Sequence, residues 1–295
     1  MPSLKEVRTR IDSVKSTQQI TSAMKMVSAA KLRKAQNAIL TMRPFAARLT
    51  DIMQNISASM DDSAESVYTK QRAPERVLII ALASNRGLCG PFNANVAKEV
   101  IVRINTVYAP QYQAGKLDVL TIGKKLNDFL KARKYAVARR KDEILDDLTF
   151  ENVIPFAESL MNDFVSKKYD KIEIIYNQFK NAAVQILTRE QFLPIAPKAD
   201  AKTTSKKVKA DYIFQPSKEE IIAELIPKSL KIQLYKALLD SVASEQGARM
   251  TAMHKATDNA QELLKNLKLS YNKARQAAIT NEILEIVSGA EALRG

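Results

Sequence analysis

The segment "RVLIIALASNRGLCGPFNANVAKEV", residues 76–100, decides how the chain is read. An apolar run ends in a turn carrying Gly87 and Gly90, and a helical pattern follows. Strand, glycine turn and helix is the outline of a phosphate-binding site, so the turn is measured first against that chemistry. A P-loop, G-x-x-x-x-G-K-[ST], needs backbone N–H groups around the phosphates, a lysine reaching the outer ones and a hydroxyl on magnesium. Here Gly87 and Gly90 are three apart, and Pro91 and Phe92 stand where the lysine and hydroxyl belong. The dinucleotide fingerprint fails as well: Gly87-Leu88-Cys89-Gly90 lacks the third glycine that lets the helix approach. The segment therefore reads as a tight turn between a buried strand and a helix, and no cofactor is assigned to it.

Outward from this turn, "KLDVLTIG" (116–123), "KIEIIYNQF" (171–179) and "AVQILTREQFLPI" (183–195) repeat the strand pattern. Helical patterns fill 92–108, 124–134 and 151–168. Strands alternating with helices predict an α/β domain over 75–195 with a mainly parallel sheet, its last two strands close enough for a hairpin. The next stretch, "APKADAKTTSKKVKADYIFQPS", is polar and without period, and predicts a surface loop over 196–216 with Lys206-Lys207 solvated. A capping box from Ser217 to Glu220 marks the helix that follows.

Both ends of the chain lack helix breakers over long distances. None of the 7 glycines precedes Gly87, and between Lys228 and Ser288 there is only Gly247 and no proline. Pro44 interrupts the first stretch and bends a helix there without ending it. Helices over 1–60 and 217–295 would span roughly 80 Å and 90 to 100 Å at about 1.5 Å per residue. Such helices need a partner along their length, because propensity alone is marginal in water.

The C-terminal stretch supplies a seam: Ile232, Tyr235, Leu239 and Val242, continuing through Gln246, Arg249, Met253, Ala256, Ala260, Leu263 and Leu267. Alternating steps of three and four are the coiled-coil pattern. In the N-terminal stretch Leu4, Val7, Ile11 and Val14 begin a similar seam, which slips near Gln18 and resumes around Ile20, Met24 and Val27. An antiparallel pairing of the two ends is predicted. Gln246, Arg249 and the Ala-, Ser- and Met-rich "TSAMKMVSAAKLRKAQNA" weaken a simple zipper. They suit a slender rod with a second surface against something else, methionine being adaptable at changing contacts.

Composition removes several classes. No run approaches the roughly 18 apolar residues of a membrane span, and "MPSLKEVRTR" has no apolar signal region. The single cysteine, Cys89, excludes an internal disulfide and a cysteine-rich metal site, and implies a reducing, intracellular setting. The single histidine, His254, argues against a histidine metal site or catalytic triad. The net charge of +14 is concentrated in residues 1–50, with 10 Lys+Arg against 2 Asp+Glu. A basic arm meets nucleic acid, anionic lipid or an acidic protein surface. A nucleic-acid-binding coiled coil is the alternative reading, although zinc patterns and RNA-binding aromatic strands are missing from the sequence.

"TQQITSAMKMVSAAKLRKAQ" (17–36), "SNRGLCGPFN" (84–93), "ASEQGARMTAMHKATDNA" and "LKLSYNKARQAAITNEILEIVSGAEAL" (within 243–293) resemble, in order, the signature segments of the gamma subunit of F-type ATP synthase. The resemblance runs from end to end. It implies an antiparallel coiled coil of the terminal helices and a central Rossmann-like α/β domain without a nucleotide site. It also implies a rotor shaft that couples c-ring rotation to the catalytic beta subunits and is not an enzyme on its own. The partners it implies are the alpha and beta subunits of the head, the epsilon subunit and the c-subunit ring. The setting it implies is the cytoplasmic side of a bacterial plasma membrane, as a peripheral protein. Carried over by position, Met24, Arg249, Arg275, Gln276, Thr280 and Glu282 are expected to face the head, and Tyr212 the c ring. Gln215 stands where some relatives carry an acid, which weakens the expectation for that foot. The inserted segment with a redox-active cysteine pair of the plant-chloroplast form is missing, which argues against thiol control.

Overall fold

The computed structural model describes residues 4–58, 67–195 and 218–293. The expected surface loop at 196–216, with Tyr212, Gln215 and Lys206-Lys207, lies outside the described residues, as does Ser217 of the capping box. Two compact units divide the chain: Met1–Ala29 with Arg249–Gly295, and Ala30–Ala248. Two long helices, α1 (Leu4–Ala58) and α6 (Lys218–Ala292), contribute to both. Pro44 lies inside α1 without ending it, as its isolation among helix formers led one to expect.

Within Ala30–Ala248, the apolar run after Arg76 becomes β1 (Val77–Leu82), buried at every residue. A strand apolar on both faces belongs at the middle of a covered sheet. The other strands are β2 (Leu117–Ile122), β3 (Arg139–Arg140), β4 (Lys171–Phe179) and β5 (Gln185–Leu193), in the order β3-β2-β1-β4-β5. The pairs β1–β2, β1–β4 and β2–β3 are parallel, while β4 and β5 form the antiparallel hairpin. The two-residue β3 escapes sequence reading because two arginines at a sheet edge leave no apolar alternation.

The pleat sends alternate β1 residues to opposite layers. Val77, Ile79 and Ala81 pack with Val96, Val100 and Ile104 of α2 (Phe92–Asn105) and with Leu126 and Leu130 of α4 (Lys124–Ala132). The short α3 (Ala109–Gln113) lies between these helices in sequence. Leu78, Ile80 and Leu82 pack with Phe156, Leu160 and Phe164 of α5 (Phe150–Val165) and with Leu230, Leu234 and Leu238 of α6. The first part of the C-terminal helix is thus a covering layer of the sheet.

Where β1 and β2 end, Gly123 takes φ +117°, and a Cβ there would lie 2.5 Å from the Ala83 carbonyl carbon and oxygen. Only glycine fits. Its N–H donates to the Asp142 carboxylate at 2.9 Å, which also pairs with Arg140. On β4, the buried Glu173 accepts from the Arg103 guanidinium and, at 3.1 Å, from the Tyr108 hydroxyl. Burial and the neighbouring carboxylate raise the Tyr108 pKa far above its usual value. Tyr169 is raised in the same way, by burial and by its 2.7 Å hydrogen bond to Asp118.

A charge pair of this kind contributes little net stability when intact, but removing one partner leaves the other charge buried alone. Arg103→Ala is therefore expected to destabilise the sheet by about 3 to 5 kcal/mol. Urea unfolding of the purified chain, followed by far-UV circular dichroism, measures it; a midpoint equal to that of the unsubstituted chain contradicts the assignment.

Candidate functional site

The sheet order reverses at β1, between β2 and β4, the switch point where open α/β sheets take ligands. Here Cys89, Phe92 and Ala248 form a buried apolar cluster, and Asn177 of β4 donates its side-chain amide to the Phe92 carbonyl at 3.2 Å. The turn between β1 and α2 is hydrogen-bonded to itself. Ser84 N–H donates to Asn93 Oδ1 at 3.0 Å, and Asn93 Nδ2 donates to Ser84 Oγ at 2.8 Å and to Cys89 Sγ at 3.3 Å. Ser84 Oγ donates to the Arg86 carbonyl at 2.6 Å. Leu88 and Gly90 both take positive φ, 65° and 58°, which makes the tight reversal. Side chains fill the place a phosphate would take in a nucleotide-binding relative of this sheet. Cys89 is buried.

The unit of Met1–Ala29 with Arg249–Gly295 is built by α1 and α6. Thr257 Oγ1 donates to Thr21 Oγ1 at 3.0 Å, and Lys25 Nζ donates to His254 Nδ1 at 3.4 Å. Numbers rise along one helix as they fall along the other, so the pairing is antiparallel. On α1 the inward positions are Leu4, Val7, Ile11, Val14, Gln18, Thr21, Lys25 and Ser28. This corrects the expected slip at Gln18: the seam keeps its steps and changes its chemistry, with Thr21 and Ser28 buried and Ile20 and Val27 exposed. The Thr21 hydroxyl can be buried because it has a nearby acceptor, donating to the Gln18 carbonyl at 3.0 Å.

On α6 the seam takes one step of four from Met253 to Thr257 and reaches Leu264 rather than Leu263. Leu264 is 9% exposed and Leu263 48%. Two successive steps of four, from Arg249 to Met253 to Thr257, are a stutter that locally unwinds the coil. The inward Thr257, in place of the expected Ala256, displaces the register by one.

The residues carried over by resemblance are placed unequally. Met24 is half-buried, and Arg249 is buried at 7% exposure. Arg275, Gln276, Thr280 and Glu282 are exposed along the end of α6, where Thr280 Oγ1 donates to the Gln276 carbonyl at 2.9 Å. The structure therefore gathers four of them on one helix end, and Tyr212 lies outside the described residues. The register of Thr21 with Thr257 sets the start of α1 at Leu4 opposite the Ala274 turn, and α6 continues to Ala292. On that extension Ile279, Ile283, Leu284, Ile286 and Val287 are all exposed. These apolar residues were not among the expected contacts, although "NEILEIV" carries the signal: a broad apolar helix face that the chain itself leaves exposed means cover from somewhere else.

The structure combines a mixed five-stranded α/β sheet, with apolar side chains at its switch point, and long paired terminal helices. A family model described as ATP synthase matches residues 3–293. The chain is 60% identical over 296 residues to the ATP synthase gamma chain of Flavobacterium psychrophilum, with all of both chains covered. It is 42% identical to that of Chlorobium limicola, again over the whole of both. The chain belongs to the ATP synthase gamma-chain family. In fold it is similar to a chain of the Euglena gracilis mitochondrial ATP synthase solved as OSCP/F1/c-ring, with TM-score 0.66, 20% identity and 98% and 94% of the two chains covered. A chain of the Tetrahymena thermophila mitochondrial ATP synthase central stalk/c-ring gives TM-score 0.58 at 23% identity, covering 80% of this chain and 99% of that one. The nucleic-acid-binding alternative finds no support among these relatives.

Two outcomes are expected. Leu264→Asp unpairs the helices, since a carboxylate buried without a partner costs several kcal/mol, whereas Leu263→Asp leaves the thermal melt of the helix signal near that of the unsubstituted chain; equal losses in both would restore the register read from sequence. Calorimetry on the purified chain gives no ATP affinity tighter than about millimolar, about −4 kcal/mol; micromolar, magnesium-dependent binding would refute the filled switch point.

Proposed function

We propose that this chain is the central rotor shaft of an F-type ATP synthase, itself without a catalytic site, turned by a c-subunit ring and acting on a head of alpha and beta subunits. The observation that carries the proposal is the end of α6, whose exposed Ile279, Ile283, Leu284, Ile286 and Val287 share one broad face of a helix that α1 no longer accompanies. An apolar face of this breadth, left uncovered by the chain's own helices, calls for another protein surface against it.

A shaft shifts the equilibria of its neighbours only if it binds their conformations unequally. The polar breaks in the seam and the one-sided burial of Met24 and Arg249 give the rod faces that differ around its axis. Each beta subunit then meets a different face as the shaft turns, and its open, loose and tight forms are favoured in sequence. The exposed Lys15, Lys31, Arg33 and Lys34 of α1 suit acidic loops of the beta subunits, a complementarity that sets orientation and encounter more than affinity. Tyr212 is assigned to the c-ring foot and the epsilon subunit to the same end of the rotor. No helix among the described residues is long and apolar enough to cross a membrane. That accords with a peripheral position, assigned to the cytoplasmic side of the bacterial plasma membrane. Residues 1–60, 75–195, 196–216 and 217–295 are then shaft helix, α/β domain, surface loop and shaft helix.

Arg275 and Gln276 test the role of the helix end. A cation at such a contact makes charge-assisted hydrogen bonds of roughly 1.5 to 3 kcal/mol each. Arg275→Ala with Gln276→Ala is expected to change both ATPase rate and ATP-driven proton pumping in inverted vesicles while subunit composition stays normal. An intact complex with unchanged rates refutes the role of these residues, and loss of the complex assigns them to assembly.

A further inference from the structure

One contact in the Ala30–Ala248 unit has the build of a mechanical joint. A Cβ on Gly247 of α6 would lie 3.2 Å from both the Cα and the carbonyl oxygen of Ala182, in the turn joining β4 to β5. That is closer than side chains ordinarily approach backbone, so the helix and the turn touch with no side chain between them.

The turn itself is held firmly. Asn181 Oδ1 accepts from Ala183 N–H at 3.0 Å and Val184 N–H at 2.7 Å, and Asn181 N–H donates to the Val184 carbonyl at 3.2 Å. Gln185 Nε2 donates to the Ala182 carbonyl at 3.1 Å, on the side of the turn that meets the helix. Behind the turn stand two nine-residue strands paired from Ile172↔Leu193 to Phe179↔Gln185, a ladder about 24 Å long.

The unit holds α6 along an earlier stretch as well. Leu230, Leu234 and Leu238 are core residues of the sheet, and Lys231, Gln233 and Lys236 reach Glu158, the Gln191 carbonyl and Glu190. From Leu230 to Gly247 is about 25 Å along the helix axis at 1.5 Å per residue. A helix held at one point pivots about it. Held along its length from Leu230 to Gly247, it transmits sideways load.

We infer that the β4–β5 turn is a brace for α6 at Gly247, through which torque passes between the α/β domain and the helix. Gly247 is required because only a residue without a side chain lets the turn bear on the helix backbone, and Asn181 because it keeps the turn rigid. Both are positioning residues: they touch no substrate and act through the alignment of α6. The inference rests on the rotor reading above.

The test uses the complete ATP synthase complex in inverted vesicles, comparing Asn181→Ala, Gly247→Ala and Gly247→Val with the unsubstituted chain. Subunit composition, ATP hydrolysis and ATP-driven proton pumping against an imposed gradient are measured on the same vesicles. Asn181→Ala loosens the turn without touching the helix, and is expected to leave assembly and hydrolysis unchanged. Pumping against the gradient is expected to fall by about fivefold, the scale on which one lost hydrogen bond moves an equilibrium. Gly247→Val gives the same split between hydrolysis and pumping with a larger loss, and Gly247→Ala a smaller one. Parallel losses of hydrolysis and pumping, unchanged pumping in Asn181→Ala, or failed assembly in all three variants overturns the brace. A complex with the unsubstituted chain that hydrolyses ATP but pumps no protons overturns the rotor reading instead.

Discussion

Thr21 and Thr257 share a hydrogen bond across 236 positions of sequence, and the rest of the paired-helix unit depends on the register it marks. Helices of 55 and 75 residues bury too little of themselves to persist alone in water. Paired antiparallel, each supplies the other with a seam. The seam is thin in apolar side chains near its centre, where Thr21, Ser28 and Arg249 are buried. Small and polar contacts give less stability than leucines would, and in exchange leave Ile20, Met26 and Val27 outside, on surface that another protein can use.

The α/β unit solves a different problem with the same helix. Its sheet is apolar on both faces and must be covered on both. α2 and α4 cover one face, and α5 with the first part of α6 the other. The crevice at the switch point, which in nucleotide-binding sheets receives a phosphate, instead receives Phe92, Cys89 and a residue of α6, Ala248. The seat of the helix there is apolar, made by Cys89, Phe92 and Ala248.

The strands at 77–82, 117–122, 171–179 and 185–193 were legible because their apolar runs are short and bounded by turn residues. The long helices were legible from the distribution of 7 glycines and 10 prolines. The failed phosphate motif was legible because P-loop chemistry tolerates no proline at the lysine position. β3 was not legible, since its two arginines pair only because β2 offers an edge. The register near Leu264 was missed by one residue. Threonine scores as polar, yet Thr257 is held inward by a hydroxyl on the partner helix.

By itself the sequence determined the long helices, the four longer strands, their alternation with helices and the antiparallel pairing of its two ends, because these follow from periodicity and from where breakers are absent. Four of the expected contact residues could be placed along one stretch, yet nothing in their spacing said that α1 ends before them. Only the tertiary structure decided which polar residues are buried in the seam, what fills the switch point and why position 247 is a glycine. Each of those depends on an atom from a part of the chain remote in sequence: Thr21 for Thr257, Ala248 for Phe92, Ala182 for Gly247. Local pattern carries no record of such approaches, because a backbone 3.2 Å away leaves its mark on a sequence only as the lack of a side chain.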